Sequence, residues 1–192
     1  MKTHYSRSHA NRGAKLEMLV EMTNNQYRNA WLADIRKVPT PVKILKTDGN
    51  KVSGHLDTAT WVDYNGIYEG HSIIFDAKET KLKRFPLKNI SPHQYQTLKS
   101  WHRHGAVAFL LVAFWLEGKN EPEIYVLRFE QLAEAYENQK TVRGSKSISL
   151  DFFRENCIRV KSGNGYVVDY LAALNLEAKV KEGDYYGKSK NW

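Results

Sequence analysis

The stretch VDYNGIYEGHSIIFDAKET, Val62 to Thr80, decides the reading of this chain. It predicts a turn at Asn65-Gly66, a short run Ile67 to Glu69, a break at Gly70 and a strand from Ser72 to Lys78. The strand begins apolar, Ile73-Ile74-Phe75, and then carries Asp76, Lys78 and Glu79. Alternate strand residues share a face, so Asp76 and Lys78 point the same way and Glu79 points away, where it reads as structural. Asp63 lies upstream and converges on Asp76 if its segment is the neighbouring strand. Two carboxylates at a strand end, with the Ala77 carbonyl as a further oxygen, make a cradle for Mg2+, which prefers rigid oxygen coordination. Acids that hold one or two such cations activate water, and a nearby lysine orients that water or offsets charge on a phosphate. The tripeptide Asp76-Ala77-Lys78 is not specific by itself. Its weight comes from what surrounds it.

The surroundings are basic. The chain has 192 residues, with 29 Lys and Arg against 21 Asp and Glu, a net charge of +8. That balance favours polyanions, nucleic acid first among them. The length fits one domain with a sizeable core. The single cysteine, Cys157, excludes an intramolecular disulfide and a multi-cysteine zinc site, and reads as a small core residue before a strand-like Ile158–Val160. The seven histidines show no metal-ligand spacing. The first residues lack the apolar core of a secretory signal. The longest apolar run, AVAFLLVAFWL, has about half the roughly 20 residues a membrane helix needs. A reducing cytoplasm is the expected location.

The pattern along the chain predicts one nuclease-sized domain with loose ends. Residues 1–12 form a flexible basic arm, 13–176 a single domain and 177–192 a loose tail. A helix is expected from Ala14 to Trp31, with Leu16, Leu19, Val20, Tyr27 and Trp31 as its apolar stripe and Glu17 and Glu21 flanking it. After Pro39-Thr40-Pro41 come two strand-like runs around Asp48-Gly49, a strong hairpin signal. This segment, about 42–61, carries Lys43, Lys46, Lys51 and His55 with little core pattern, and is expected to project as a ribbon. A basic loop with Lys81, Lys83, Arg84 and Lys88 follows the central strand. Ser91-Pro92 starts a helix that Gly105 ends, and AVAFLLVAFW is a strand covered on both faces. EIYVLRFE reads as a strand, EQLAEAYENQ and SLDFFRENC as helices, and Tyr166 to Leu174 as a last helix. The order gives an α/β fold: a mixed β-sheet flanked by helices.

With these residues in view the chain resembles a known family. Asp63 followed by Asp76-Ala77-Lys78 matches the PD-(D/E)xK nuclease pattern. NRG at 11–13, PTPV at 39–42, DYNGIY at 63–68, AKET at 77–80, FPL at 85–87 and HQ at 93–94 occur in the order seen in RecU-type Holliday junction resolvases. The resemblance implies a restriction-endonuclease-like fold with a projecting stalk. It implies a homodimeric endonuclease, dependent on Mg2+ with Mn2+ as a substitute. Its substrates would be four-way junctions and other branched DNA, cut by paired symmetric nicks alongside a RecA-type recombinase and branch-migration machinery. Carried over, Asp63, Asp76, Lys78, Glu17 and Gln94 fall on catalytic positions. Asp63, Asp76, Ala77 and Glu17 would serve the metal. Arg12, Lys43, Lys46, Lys51, Lys81, Lys83 and Arg84 would meet DNA. Two departures stand out: Asp76 occupies a position where the family commonly has Glu, and the ribbon is shorter than in typical cellular members, which fits a phage or mobile-element version. Two other readings share much of this pattern: a related nuclease acting on duplex or fork DNA, and a non-catalytic DNA-binding recombination modulator.

Overall fold

The computed structural model describes residues 14–56 and 61–176. The expected basic arm, including Arg12, and the expected tail lie outside the described residues. Five α-helices are described, α1 (Ala14–Asn29), α2 (Pro92–Arg103), α3 (Phe129–Asn138), α4 (Leu150–Asn156) and α5 (Tyr170–Leu174), with one 3-10 turn at Leu87–Asn89. The strands are β1 (Ala33–Lys37), β2 (Val42–Asp48), β3 (Lys51–Leu56), β4 (Tyr64–Tyr68), β5 (His71–Thr80), β6 (Arg84–Pro86), β7 (Val107–Phe114), β8 (Glu123–Arg128), β9 (Ser147–Ser149) and β10 (Ile158–Val160). Six of them form one sheet in the order β1-β4-β5-β7-β8-β10. Only the β5–β7 pair in it is parallel, so the sheet is mixed. The expected α/β arrangement is therefore present. Among the described residues no helix is long and apolar enough to cross a membrane.

The sheet separates two cores. On one face α1 and α5 bury Leu16, Val20, Tyr27, Tyr170 and Leu174 against Ile73, Phe75 and Phe109. On the other, α2, α3 and α4 bury Leu98, Leu132 and Phe153 against Ile74, Leu110 and Val112. The central strand β5 is buried on both faces from Ile73 to Ala77, which is why its sequence is apolar without alternation. Polar contacts stitch α1 to the segment before α5. Tyr27 donates to Asp169 at 2.9 Å, and Thr23 and Gln26 accept from the backbone of Val168 and Val167, each at 3.1 Å.

Three expectations are corrected. Asn65-Gly66 is not a turn: both lie inside β4, and the chain reverses at Glu69-Gly70, where both residues have positive φ. Gly66 is needed for another reason. A Cβ there would sit 2.2 Å from the Asp34 carbonyl oxygen and 2.5 Å from the Ile35 Cα, so β1 crosses too closely for any side chain. The first helix ends at Asn29, and Trp31 turns out through a left-handed conformation (φ 56°) to 96% exposure. Leu32 packs against the core in its place. The last helix is Tyr170–Leu174, capped by the Asp169 side chain, rather than a longer one from Tyr166.

The Asp48-Gly49 signal reads correctly. β2 and β3 pair through the Gly49-Asn50 loop, with positive φ at Gly49, the position a type II′ turn reserves for glycine. All residues of both strands are exposed, so the pair projects from the domain.

Candidate active site

Register brings the two aspartates together. Tyr64 is opposite Phe75 in the β4–β5 pair, so Asp63 lies just before β4 and beside the continuing β5. There β5 runs on past the end of β4 while β7 still pairs along its other edge, and on the β4 side the Ala77 N–H has no ladder acceptor. The Asp63 side chain supplies one: Ala77 N–H donates to Asp63 Oδ2 at 3.0 Å. The Asp63 carbonyl accepts from Val38 N–H at 2.8 Å, which ties the same point to the end of β1. A strand residue's N–H and C=O leave the chain on the same side, so the Ala77 carbonyl faces this edge as well.

Asp76 is the centre of the cluster. It follows Ile74 on the α2 face of β5 and its side chain is fully buried, whereas the side chain of Lys78 is 18% exposed. The Lys78 ammonium lies 2.8 Å from Asp76 Oδ2. That approach is an ion pair without hydrogen-bond geometry, because both carboxylate oxygens lack a hydrogen bond among the described residues. Burial, above all, raises the Asp76 carboxyl well above the usual carboxylate range; the adjacent Asp63 adds to the rise and the Lys78 charge opposes it. A buried acid balanced by one ammonium and set beside a second carboxylate is unfavourable unless further partners satisfy its oxygens. The oxygen donors gathered here, two carboxylates and one carbonyl, are the hard ligands that suit Mg2+ or Mn2+.

The structure leaves other expected members outside this cluster. Among the described residues no three His, Cys, Asp or Glu side chains approach closely enough to hold one cation. Glu17 turns toward β1, where Lys37 Nζ bridges it at 2.8 Å and Glu21 at 3.1 Å. It remains within electrostatic reach: the Tyr64 hydroxyl pKa is raised by burial first and then by Glu17, Glu21, Asp63 and Asp76. Gln94 is committed to the start of α2. Its Oε1 accepts from Ser91 N–H and its own N–H donates to Ser91 Oγ, each at 3.1 Å, a reciprocal capping box. The sequence Ser-Pro-His-Gln carries that signal, and it accounts for Gln94 without catalysis. Glu79 accepts from the Leu16 N–H at the first turn of α1, the structural role expected of it.

Thr80 positions the loop that follows β5. Its hydroxyl donates to the Arg84 carbonyl at 3.3 Å and accepts from Leu82 N–H at 3.1 Å. This folds the loop back directly beyond the aspartate and lysine, with Lys81, Lys83 and Arg84 all exposed on it. At the other side Trp61 packs edge-on against Trp101 of α2, with centroids 5.5 Å apart, at the base of the ribbon.

The ribbon has two unlike faces. Residues directly opposite one another share a face. The pairs Val42↔Leu56, Ile44↔Gly54 and Thr47↔Val52 form one face; Lys43↔His55, Lys46↔Ser53 and Asp48↔Lys51 form the other. A bulge between Ile44 and Lys46 absorbs Leu45. Without that extra residue Lys43 and Lys46, three positions apart, would point in opposite directions; with it all three expected lysines lie together.

Residues 11–176 match the family described as RecU, recombination protein U. A Holliday junction resolvase RecU of Shouchella clausii is 34% identical over 175 residues, covering 88% of this chain and 81% of its own length. One of Streptococcus equi subsp. zooepidemicus is 36% identical over 183 residues, covering 92% and 86%. Among solved structures, Hjc of Archaeoglobus fulgidus, described as a Holliday junction resolvase, aligns over 80% of this chain and 98% of its own with a TM-score of 0.41 and 10% identity. That likeness is too distant to carry weight.

Proposed function

This chain belongs to the RecU family, and on that premise we propose that it is a DNA endonuclease that resolves four-way junctions in recombination by paired, symmetric nicks. The observation that carries the chemistry is Asp76: fully buried, both oxygens without hydrogen bonds, beside Asp63 and Lys78. Asp63, Asp76 and the Ala77 carbonyl would hold Mg2+ or Mn2+. When bound, the cation would activate water for attack on phosphorus and offset the charge that develops there. Asp63 keeps its place because the Ala77 N–H anchors one of its oxygens, leaving the other for coordination. Lys78 counters charge on Asp76 at 2.8 Å. Once that carboxylate is engaged elsewhere, the ammonium is available to orient the attacking water or meet a phosphate oxygen. Lys81, Lys83 and Arg84 lie directly past this point and would receive the backbone of the strand being cut.

Paired nicks need two sites related by a two-fold axis, and an isologous dimer supplies one. The ribbon supports this. Val42, Ile44, Val52 and Leu56 on its apolar face are 53–72% exposed. A solvated two-stranded ribbon is marginal by itself. Packing the apolar faces of two ribbons together would cover these side chains and turn Lys43, Lys46 and Lys51 of each copy outward, toward the strands converging at a junction. The direct test incubates the protein with four-way, Y-shaped and linear duplex DNA, with and without Mg2+. The expected result is symmetric paired nicks in the four-way substrate alone and only with the cation. Equal cutting of all three substrates would instead identify a general duplex or fork nuclease, and binding without any cutting a recombination modulator.

A further inference from the structure

Helix α2 carries a surface that the cleavage cluster does not use. Its sequence, PHQYQTLKSWHR, contains no acid, unlike the other described helices of eight residues or more: α1 has Glu17 and Glu21, and α3 has Glu130, Glu134 and Glu137. Tyr95 and Leu98 face the core. Gln96, Lys99, Ser100 and Arg103 face outward and, with His104, line a shallow hollow of about 300 Å³. The lining is rich in hydrogen-bond donors and has no carboxylate.

The cations of this face differ from those of the other described helices. Lys15 lies over the Trp115 ring, 5.1 Å from its centroid. Arg28 donates to the Ile35 carbonyl at 2.8 Å. Arg154 pairs with Glu123 at 2.7 Å. Lys99 and Arg103 make neither an ion pair nor a side-chain hydrogen bond among the described residues. Lys99 feels the Glu137 carboxylate of α3 only at a distance, and two like charges one turn apart repel, so an anionic partner on this face would add stability. The place of the helix narrows that partner. The exposed basic residues Lys81, Lys83, Arg84 and Lys88 precede α2 in the chain, across β6 and one 3-10 turn, and Trp101 of α2 packs on Trp61 at the ribbon base. Helix α2 packs on the same face of the sheet that carries Asp76 and Lys78, so its outer surface lies on the cutting side of the domain.

We propose that the outer face of α2 holds the phosphate backbone of a duplex arm leaving the cleavage site, with Lys99 and Arg103 on phosphates and Gln96 and Ser100 donating hydrogen bonds to phosphate oxygens. This rests on the junction-cutting reading. Four residues advance a helix by about 6 Å, close to the axial rise of two nucleotides in one strand at about 3.4 Å each. The contact reads backbone and carries no base preference.

The test measures equilibrium binding to four-way junctions whose arms are lengthened stepwise, in EDTA so that nothing is cut. Wild type, Lys99→Gln/Arg103→Gln and the charge-retaining Lys99→Arg/Arg103→Lys are compared over a range of salt. As the arms grow long enough to reach α2, the wild type binds more tightly and its log–log salt slope steepens by about two, at about 0.9 per phosphate. The Gln variant loses that gain and the charge-retaining variant keeps it. Both positions are exposed and the Gln variant loses a like-charge repulsion, so an intact fold is checked by a thermal midpoint at or slightly above that of wild type. The proposal is overturned if the Gln variant gains as much as the wild type, or if arm length changes nothing for either. If the wild type does not prefer four-way junctions over duplex at any arm length, the junction reading itself fails, and this proposal with it.

Discussion

Asp63 has two tasks in this structure, and two substitutions separate them. One task is charge: it faces the open oxygens of Asp76. The other is architectural: its Oδ2 accepts the Ala77 N–H at 3.0 Å where β5 has outrun its neighbour. Asp63→Asn keeps an oxygen for that N–H and removes the charge. Asp63→Ala removes both. A buried donor left without an acceptor costs about 1–3 kcal/mol, while losing a carboxylate beside Asp76 relieves repulsion in both variants equally. Asp63→Ala is therefore expected to be less stable than Asp63→Asn by about 1–3 kcal/mol. In a chain of 192 residues each kcal/mol moves the thermal midpoint by about 2–4 °C. Urea unfolding in EDTA measures the difference, with Asp63→Asn at or above wild type. Repeating the series in Mg2+ isolates the charge. Ligand at a hundred times its Kd stabilises the wild type by about 2.7 kcal/mol, and Asp63→Asn gains far less. Neither variant cuts junctions, and both bind them. The reasoning is refuted if Asp63→Asn cuts at the wild-type rate, or if the two variants are equally stable in EDTA.

Lys78→Met removes the cation that pairs with Asp76 and is expected to slow single-turnover cleavage by about a hundredfold to a thousandfold; a near-normal rate would assign the chemistry elsewhere. Gly66→Ala forces a Cβ to within 2.2 Å of backbone that cannot swing away, and should cost more than the roughly 1–3 kcal/mol of ordinary overpacking. An unchanged thermal midpoint would mean that β1 yields easily. Val52→Asp on the apolar ribbon face should give a monomer by sedimentation, whereas Lys43→Ala on the opposite face should not; a dimeric Val52→Asp sinks the ribbon interface. At low pH, Glu123 is held down to about 2, chiefly by its hydrogen bonds from Arg154. Its folded value lies below its unfolded one, so its contribution is present above the ordinary glutamate range near 4.3 and lost as pH falls toward 2. Arg154→Gln should flatten the stability curve across that window, and an unchanged curve would contradict the assignment.

The sequence was most legible where local pattern and burial agree. The run at Val107–Phe114 is continuously apolar because helices cover both faces of β7, and Ser91-Pro92 with Gly105 bounds α2 as its caps require. Asp76 and Lys78 share a face because strand geometry leaves no choice. What the pattern could not carry was long-range. Asn65-Gly66 has the composition of a tight turn, and only the neighbouring β1, some thirty residues earlier, reveals that Gly66 is there for clearance. Glu17 sits on the right helix, yet Lys37 draws its carboxylate to β1, a partner no local spacing announces. Gln94 has a local explanation in its capping box.

The placement of the candidate site finally depends on residues that do no chemistry. Slipping β4 by one residue against β5 would replace Asp63 by a neighbour at the Ala77 edge and turn its side chains to the opposite face. What resists the slip lies on the other side of the sheet. Tyr64, Phe75 and Phe109 are direct cross-strand partners on β4, β5 and β7, and their rings stack at 4.8 and 4.7 Å with interplanar angles of 13° and 10°. Each ring is fully buried against α1 and α5. A slip in either pair would break this column and leave large aromatic side chains without their partners, a cost far larger than any preference expressed by the aspartates. The two acids are thus held side by side by an aromatic stack on the reverse face, and the raised Asp76 carboxyl is the mark of that enforced, buried proximity.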